Sequence, residues 1–318
     1  MMAEVITIDR TRRMVVLDRL TRVAPLGLRF HDATTGATVG DGLNVSAYPF
    51  GQPNGARALF PNRRGVFVLH HAPTLRTVEN GTGDDDYWQN LPPKKNFVVE
   101  VRDTQDRFLP FQFVAALPNR GIYEWHDPVI GSPPSSRKSI PLYSSPTRTS
   151  PAGMAVVRAD LWDPALATAG SEAGSAVLEI YDNDRFVARG IADQKGRVAL
   201  MFPYPAPKSF APSSPPGSPL GSPPRAVGPA LLDQVWTFRV RALYAIQSPP
   251  QIPSNDALPD LRAVLSQPEA AAWVDEAQTE QLLEVAVQFG QPLILRSRPI
   301  SMSPPLKGGS TLFITPAV

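Results

Sequence analysis

Proline fills 36 of the 318 positions of this chain, more than twice its ordinary share of about 5%. A proline has no amide donor and a fixed φ, so it is excluded from helix interiors and central strands. Prolines at this density must fall in loops and linkers, which rules out a helical bundle. With 42% hydrophobic residues the chain can still bury real cores, and its length suits about two domains.

Between the prolines lie short apolar runs, and one arrangement of them occurs twice. Gly65-Val66-Phe67-Val68-Leu69-His70-His71-Ala72-Pro73 and Gly196-Arg197-Val198-Ala199-Leu200-Met201-Phe202-Pro203 each follow a polar turn, run as a strand and stop at proline. Each is preceded by a strand-turn-strand unit: Leu26 to Phe30 and Leu43 to Pro49 in the first case, Met154 to Trp162 and Ala176 to Tyr181 in the second. Each is followed, after an insertion, by a closing strand, Asn96 to Asp103 or Val235 to Leu243. Short, β-branched, alternating segments with such turn punctuation predict an all-β protein of two tandem antiparallel β-sandwiches, transthyretin- or Ig-like in kind.

The expected organisation follows from these boundaries. Residues 1–23 form an N-terminal arm or a first hairpin, 24–128 the first sandwich, 129–151 a Pro/Ser-rich linker and 152–318 the second sandwich. The second sandwich carries a proline-rich insertion at 206–229. Short helices are expected at 259–277, where Glu269-Ala270-Ala271-Ala272-Trp273 has helical composition after a first-turn proline. They would pack at the rim of that sandwich.

The Asp32-Ala33-Thr34-Thr35-Gly36 turn with Gly65 to Leu69, and Asp193 to Leu200 in the second unit, resemble the transthyretin-like, carboxypeptidase-regulatory type of sandwich. A narrower likeness, over nearly the whole chain, runs through Phe97 to Asp103 with Arg107 to Phe111, Pro151 to Ala159, Gly196 to Pro205, Phe289 to Leu293 and Leu312 to Pro316. In these phrases the chain is similar to accessory and structural proteins of phage-tail-like contractile injection systems. That resemblance implies a part of such a particle (baseplate, cap or outer fitting) and carries over no catalytic residue.

Composition narrows the chemistry further. The absence of cysteine excludes a disulfide scaffold, a thiolate zinc site and a thiol nucleophile. A net charge of +2 from 31 basic and 29 acidic residues predicts no basic face, so nucleic acid is not an expected partner. His70 and His71 are adjacent on a strand, so they should point to opposite faces, one packed and one exposed, and cannot share a metal ion. Asp84-Asp85-Asp86 with Glu79 lacks the ligand spacing of a calcium loop and reads as solvated charge. No nucleophile elbow, phosphate loop or dinucleotide fingerprint occurs, so no enzyme, cofactor or metal is expected. Met1 to Arg22 has no signal-like apolar core, and no run reaches the roughly 18 to 20 apolar residues of a membrane span, so a cytoplasmic location is expected.

The loop aromatics remain as candidate interface residues: Tyr87 and Trp88 in the first insertion, Tyr123 and Trp125 past the first sandwich, and Trp162 at a strand end. Such residues mark binding surfaces or cap the open end of a sandwich. The function expected is therefore non-enzymatic, by contact with other protein subunits of a symmetric assembly. The alternative is a carbohydrate- or surface-binding module using the same aromatics.

Overall fold

The computed structural model describes residues 22–72, 74–90, 93–127, 138–166, 172–207, 230–246, 258–297 and 311–316. The expected N-terminal arm and the bulk of the proline-rich insertion lie outside these residues. What is described is all-β, with three short helices.

The first unit runs through β1 (Leu26–Leu28), β2 (Phe30–Asp32), β3 (Thr38–Val39), β4 (Leu43–Pro49), β5 (Arg57–Pro61) and β6 (Phe67–Leu69). Two short helices follow, α1 (Arg76–Glu79) and α2 (Asp85–Gln89), then β7 (Lys95–Asp103), β8 (Phe111–Leu117) and β9 (Ile140–Leu142). Six strands form one sheet in the order β1-β6-β5-β4-β7-β8, and β3-β2-β9 form a second. The run Leu26 to Phe30, expected as one strand, divides at Arg29 so that its two halves enter different sheets. Inward residues of both sheets, among them Leu28, Phe30, Phe67, Phe97 and Phe113, enclose the core. Each such side chain contributes roughly 2 kcal/mol of burial.

Part of the stretch expected to link the units belongs to the first. Ile140, Pro141 and Leu142 pair in parallel with Phe30, His31 and Asp32. Arg148 then closes on Asp32, its Nη2 2.7 Å from Oδ2. Two apolar side chains, Ile140 and Leu142, give this proline-rich stretch enough to bury, so it folds instead of spanning.

The second unit holds β10 (Met154–Trp162), β11 (Val177–Asp182), β12 (Arg185–Ile191), β13 (Arg197–Pro203) and β14 (Val235–Leu243). Then come α3 (Leu261–Leu265), β15 (Glu269–Trp273), β16 (Glu284–Gln288), β17 (Leu293–Ile294) and β18 (Thr311–Pro316). The sheet order is β12-β11-β14-β15-β18-β10-β13, with β16 on β14 and β17 on β10. The pairings of β10 with β17 and β18 are parallel. The sheet curls until its two ends meet at Gly190 of β12, where a Cβ would lie 2.9 Å from the Ala199 carbonyl of β13.

The repeat seen in the sequence is a structural repeat. Asn62 Oδ1 accepts hydrogen bonds from the amides of Arg64 and Val66, and Asp193 Oδ1 from those of Lys195 and Arg197. Gly65 and Gly196 follow at φ 70° and 74°, the left-handed region that glycine enters without cost. Each glycine-led strand pairs antiparallel with the first strand of its unit, β6 with β1 and β13 with β10.

Two expectations near the C-terminus need correction. Only α3 is a helix; Glu269–Trp273 is strand β15, paired with β14 and β18. Local propensity lost there to two waiting strand edges. Nor does α3 pack at the rim of the second sandwich. Leu261, Val264 and Leu265 enter the core of the first, beside Val177, Ile191 and Leu243 of the second.

Candidate functional site

A cleft of about 650 Å³ opens on the outer face of the first sheet. Strand alternation builds its floor. Phe97, Val99 and Val101 of β7 and Phe111, Phe113 and Ala115 of β8 turn inward, so Asn96, Val114 and Ala116 face out and line the cleft. One wall is the segment after β8, laid along β1 by hydrogen bonds from the Asn119 amide to Pro25 O and from the Tyr123 amide to Gly27 O. Gly27 eases the approach, since an added Cβ would sit 3.3 Å from the Gly121 carbonyl.

A further part of the lining comes from α3. Asp260 caps the helix, accepting from the Arg262 amide at 3.0 Å. Burial pushes the Asp260 carboxyl above its ordinary value, against the pull of Arg262. With its neighbours Leu261 and Val264 turned into the core, Arg262 points into the cleft. Its Nη2 donates to Tyr123 Oη at 2.9 Å, and the guanidinium lies 4.8 Å from the Trp125 ring centre. Its Nε is buried and carries no hydrogen-bond partner.

Lys94, Arg120, Lys138 and Arg262 all line this cleft, against the single carboxylate of Glu124. Arg120 is already paired with Asp85, so Lys94, Lys138 and Arg262 are the cations that can hold anionic side chains there by charge-assisted hydrogen bonds. The small net charge had suggested no basic face. The four residues come from separate segments between positions 94 and 262, so no run or spacing announces them; the Lys94-Lys95 pair after Pro93 is the one local hint.

The aromatic candidates divide. Tyr123 lines the cleft and its ring lies 5.7 Å from Phe113. Trp125 is a correction: it is 2% exposed, edge-on to Phe113 at 5.6 Å, and belongs to the core. Alternation along Glu124-Trp125-His126 puts the tryptophan inward and its neighbours out. Tyr87 and Trp88 are half-buried on α2, edge-to-face at 5.8 Å, and α2 is tied to the cleft wall by Arg120 on Asp85. Trp162 lies apart, half-buried at the end of β10.

The acidic and histidine motifs also find places. Asp84 Oδ1 accepts from the Tyr87 amide as the cap of α2, and that bond holds its carboxyl below the usual range. Among the described residues no three metal-ligating side chains converge. His70 and His71 are both exposed, because β6 ends at Leu69 and His71 turns to φ 55°. The expected split into one packed and one exposed histidine does not occur.

A second cavity of about 430 Å³ lies where the units meet. Leu109, Phe111, Leu258 and Leu261 give it an apolar lining, with Arg102, Lys195 and Arg197 also on its wall. Beside it, Arg189 of β12 bonds Glu179 at 2.7 Å within its own unit and reaches Asp127 and Tyr143 across the seam at 3.1 and 3.2 Å. Burial alone would favour discharging Arg189, but the Tyr143, Glu179 and Asp127 groups around it raise its pKa and hold it protonated.

No protein-family model matches this chain, and no curated protein matches it. Among solved structures it is similar to one described as the Bacillus anthracis TIE protein, at 10% identity and a TM-score of 0.22. That match covers 71% of this chain and 29% of the other, so the chain spans less than a third of that structure's length. A superposition this loose assigns neither fold nor function. No helix among the described residues is long and apolar enough to cross a membrane.

Proposed function

We propose that this chain is a non-enzymatic structural component of a larger protein assembly, working through contacts with other subunits. One observation carries the reading: the two sandwiches are locked along a buried seam. Side chains of both units share one core, Gln112 of β8 donates its amide to Pro259 O and its side-chain nitrogen to Leu258 O, and the Arg189 network crosses the join. Paired domains ordinarily move unless their interface is large and apolar. A seam of this kind suits a rigid spacer that transmits position and load. The sequence resemblance supports as host a phage-tail-like contractile injection particle assembled in the cytoplasm, with this chain proposed for its baseplate, cap or outer fittings.

The test is to express the tagged chain at native level in its own cells and identify by mass spectrometry what sediments with it. Tube- or sheath-like proteins in the heavy fraction support the reading. A chain found only in the light fraction, without such partners, overturns it.

The half-exposed Tyr87–Trp88 pair favours one alternative, binding of a carbohydrate or other surface. Glycan-array binding lost on Trp88→Ala would support that reading over the first.

A further inference from the structure

One stretch of the second unit is acidic in sequence, although Glu269 within it is ion-paired with Arg241. Between Ala263 and Leu295 there is no Lys, Arg or His, while Glu269, Asp275, Glu276, Glu280 and Glu284 all fall within that stretch. The basic cleft, with Lys94, Arg120, Lys138 and Arg262, belongs to the other sandwich. We propose that the cleft of one copy receives the acidic turn between β15 and β16 of a second copy, head to tail. This deepens the structural-component reading and rests on it.

The turn is built to be presented. The Asp275 carboxylate accepts from the amides of Thr279 and Glu280 at 3.0 and 3.1 Å, which fixes the loop. Trp273 Nε1 donates to Thr315 Oγ1 at 2.9 Å and anchors its base. Glu276 and Glu280 are exposed at this rigid tip. A preformed loop gives up little conformational entropy on docking. The cleft is likewise preformed, since Arg262 is held by Tyr123 Oη and lies over the Trp125 ring.

A single chain does not bring the two together. Glu269 of β15 lies opposite Leu243, beside the seam, and each residue of the strand carries the chain about 3.3 Å farther from it. The tip therefore points away from the first sandwich, and a second copy must supply it. Because the contact joins two different patches, each added copy leaves a cleft open at one end and a tip at the other. Such a contact closes into a ring or propagates as a filament.

Sedimentation velocity on the full chain at low salt, over a concentration series, tests this. Association should grow with concentration and weaken about tenfold or more on raising salt to about 1 M, where the Debye length is near 3 Å. The double variant Lys94→Glu/Lys138→Glu and the double variant Glu276→Lys/Glu280→Lys should each be monomeric. All four positions are on the surface, so both variants should fold, which circular dichroism checks. Mixed together, the two should associate again, because each retains the half that the other has lost. A wild-type chain that stays monomeric at low salt overturns the proposal. So does association that neither pair of changes weakens, or a mixture that fails to assemble. Binding of inorganic phosphate to monomers, lost in Lys94→Glu/Lys138→Glu, would make the cleft a small-anion site instead. A monomeric chain that still sediments with tube- or sheath-like proteins would leave the structural-component reading standing while this inference falls.

Discussion

Asp32 begins a turn and also fastens a distant segment. Its carboxylate accepts from the Thr34 amide, the Thr35 hydroxyl and both outer nitrogens of Arg148. Burial by itself would raise its pKa, but the bonds from Arg148, Thr34 and Thr35 outweigh that and hold it below the usual value. A carboxyl depressed in the folded state adds stability above its unfolded pKa of about 3.9, and that stability is lost as pH falls through the folded value. Arg148→Ala strands a largely buried carboxylate, so urea denaturation at pH 7 should show a loss of about 3 kcal/mol. The gap between variant and wild type should narrow below pH 4. The paired glycines give a second check. At Gly65 an added Cβ meets nothing nearer than 3.5 Å, so Gly65→Ala should cost only the left-handed penalty of about 1 kcal/mol. At Gly196 the Cβ would lie 2.3 Å from Leu161 O. That carbonyl is held by the Ala173 amide, so Gly196→Ala should cost about 3 kcal/mol or more in the same assay.

At the scale of elements, strands that alternate within their own sandwich were legible from sequence. β14 runs over Val235–Leu243, the limits that its alternation gives, and the Asn62 and Asp193 turns stand where polar residues precede Gly65 and Gly196. Elements whose identity depends on a distant partner were not. Glu269–Trp273 has three alanines and the composition of a helix, yet its burial alternates, with Ala270 and Ala272 inward, because β14 and β18 leave a gap only a strand can fill. β9 is similar: Ile140 and Leu142 were hidden among prolines until β2 offered an edge. For α3 the helix was visible but its destination was not. Leu261→Ala should therefore lower stability by about 3 kcal/mol, read by chemical denaturation, although the residue lies among segments of the second sandwich. Trp125→Ala should behave as a core truncation, costing about 3 to 5 kcal/mol. Trp88→Ala, at a half-exposed position, should cost far less in the same assay.

For the whole molecule, the repeat showed two sandwiches but not how they are joined, and the cleft was invisible for a related reason. Both depend on side chains brought together from remote segments: Arg189 with Asp127 and Tyr143, and Lys94 and Lys138 with Arg262. A charge total near zero says nothing about how charge is distributed. The seam decides whether the protein works as one body, and Glu179, fully buried against Arg189, is its most exacting point. Removing the guanidinium in Arg189→Ala would leave that carboxylate without its closest cation, at a cost of about 3 to 5 kcal/mol. Differential scanning calorimetry of the full chain tests the rigid-body claim most directly. The account expects a single transition whose calorimetric and van't Hoff enthalpies agree, with the whole transition moved to lower temperature in Arg189→Ala. Two separable transitions in the wild-type chain, one for each sandwich, would contradict it.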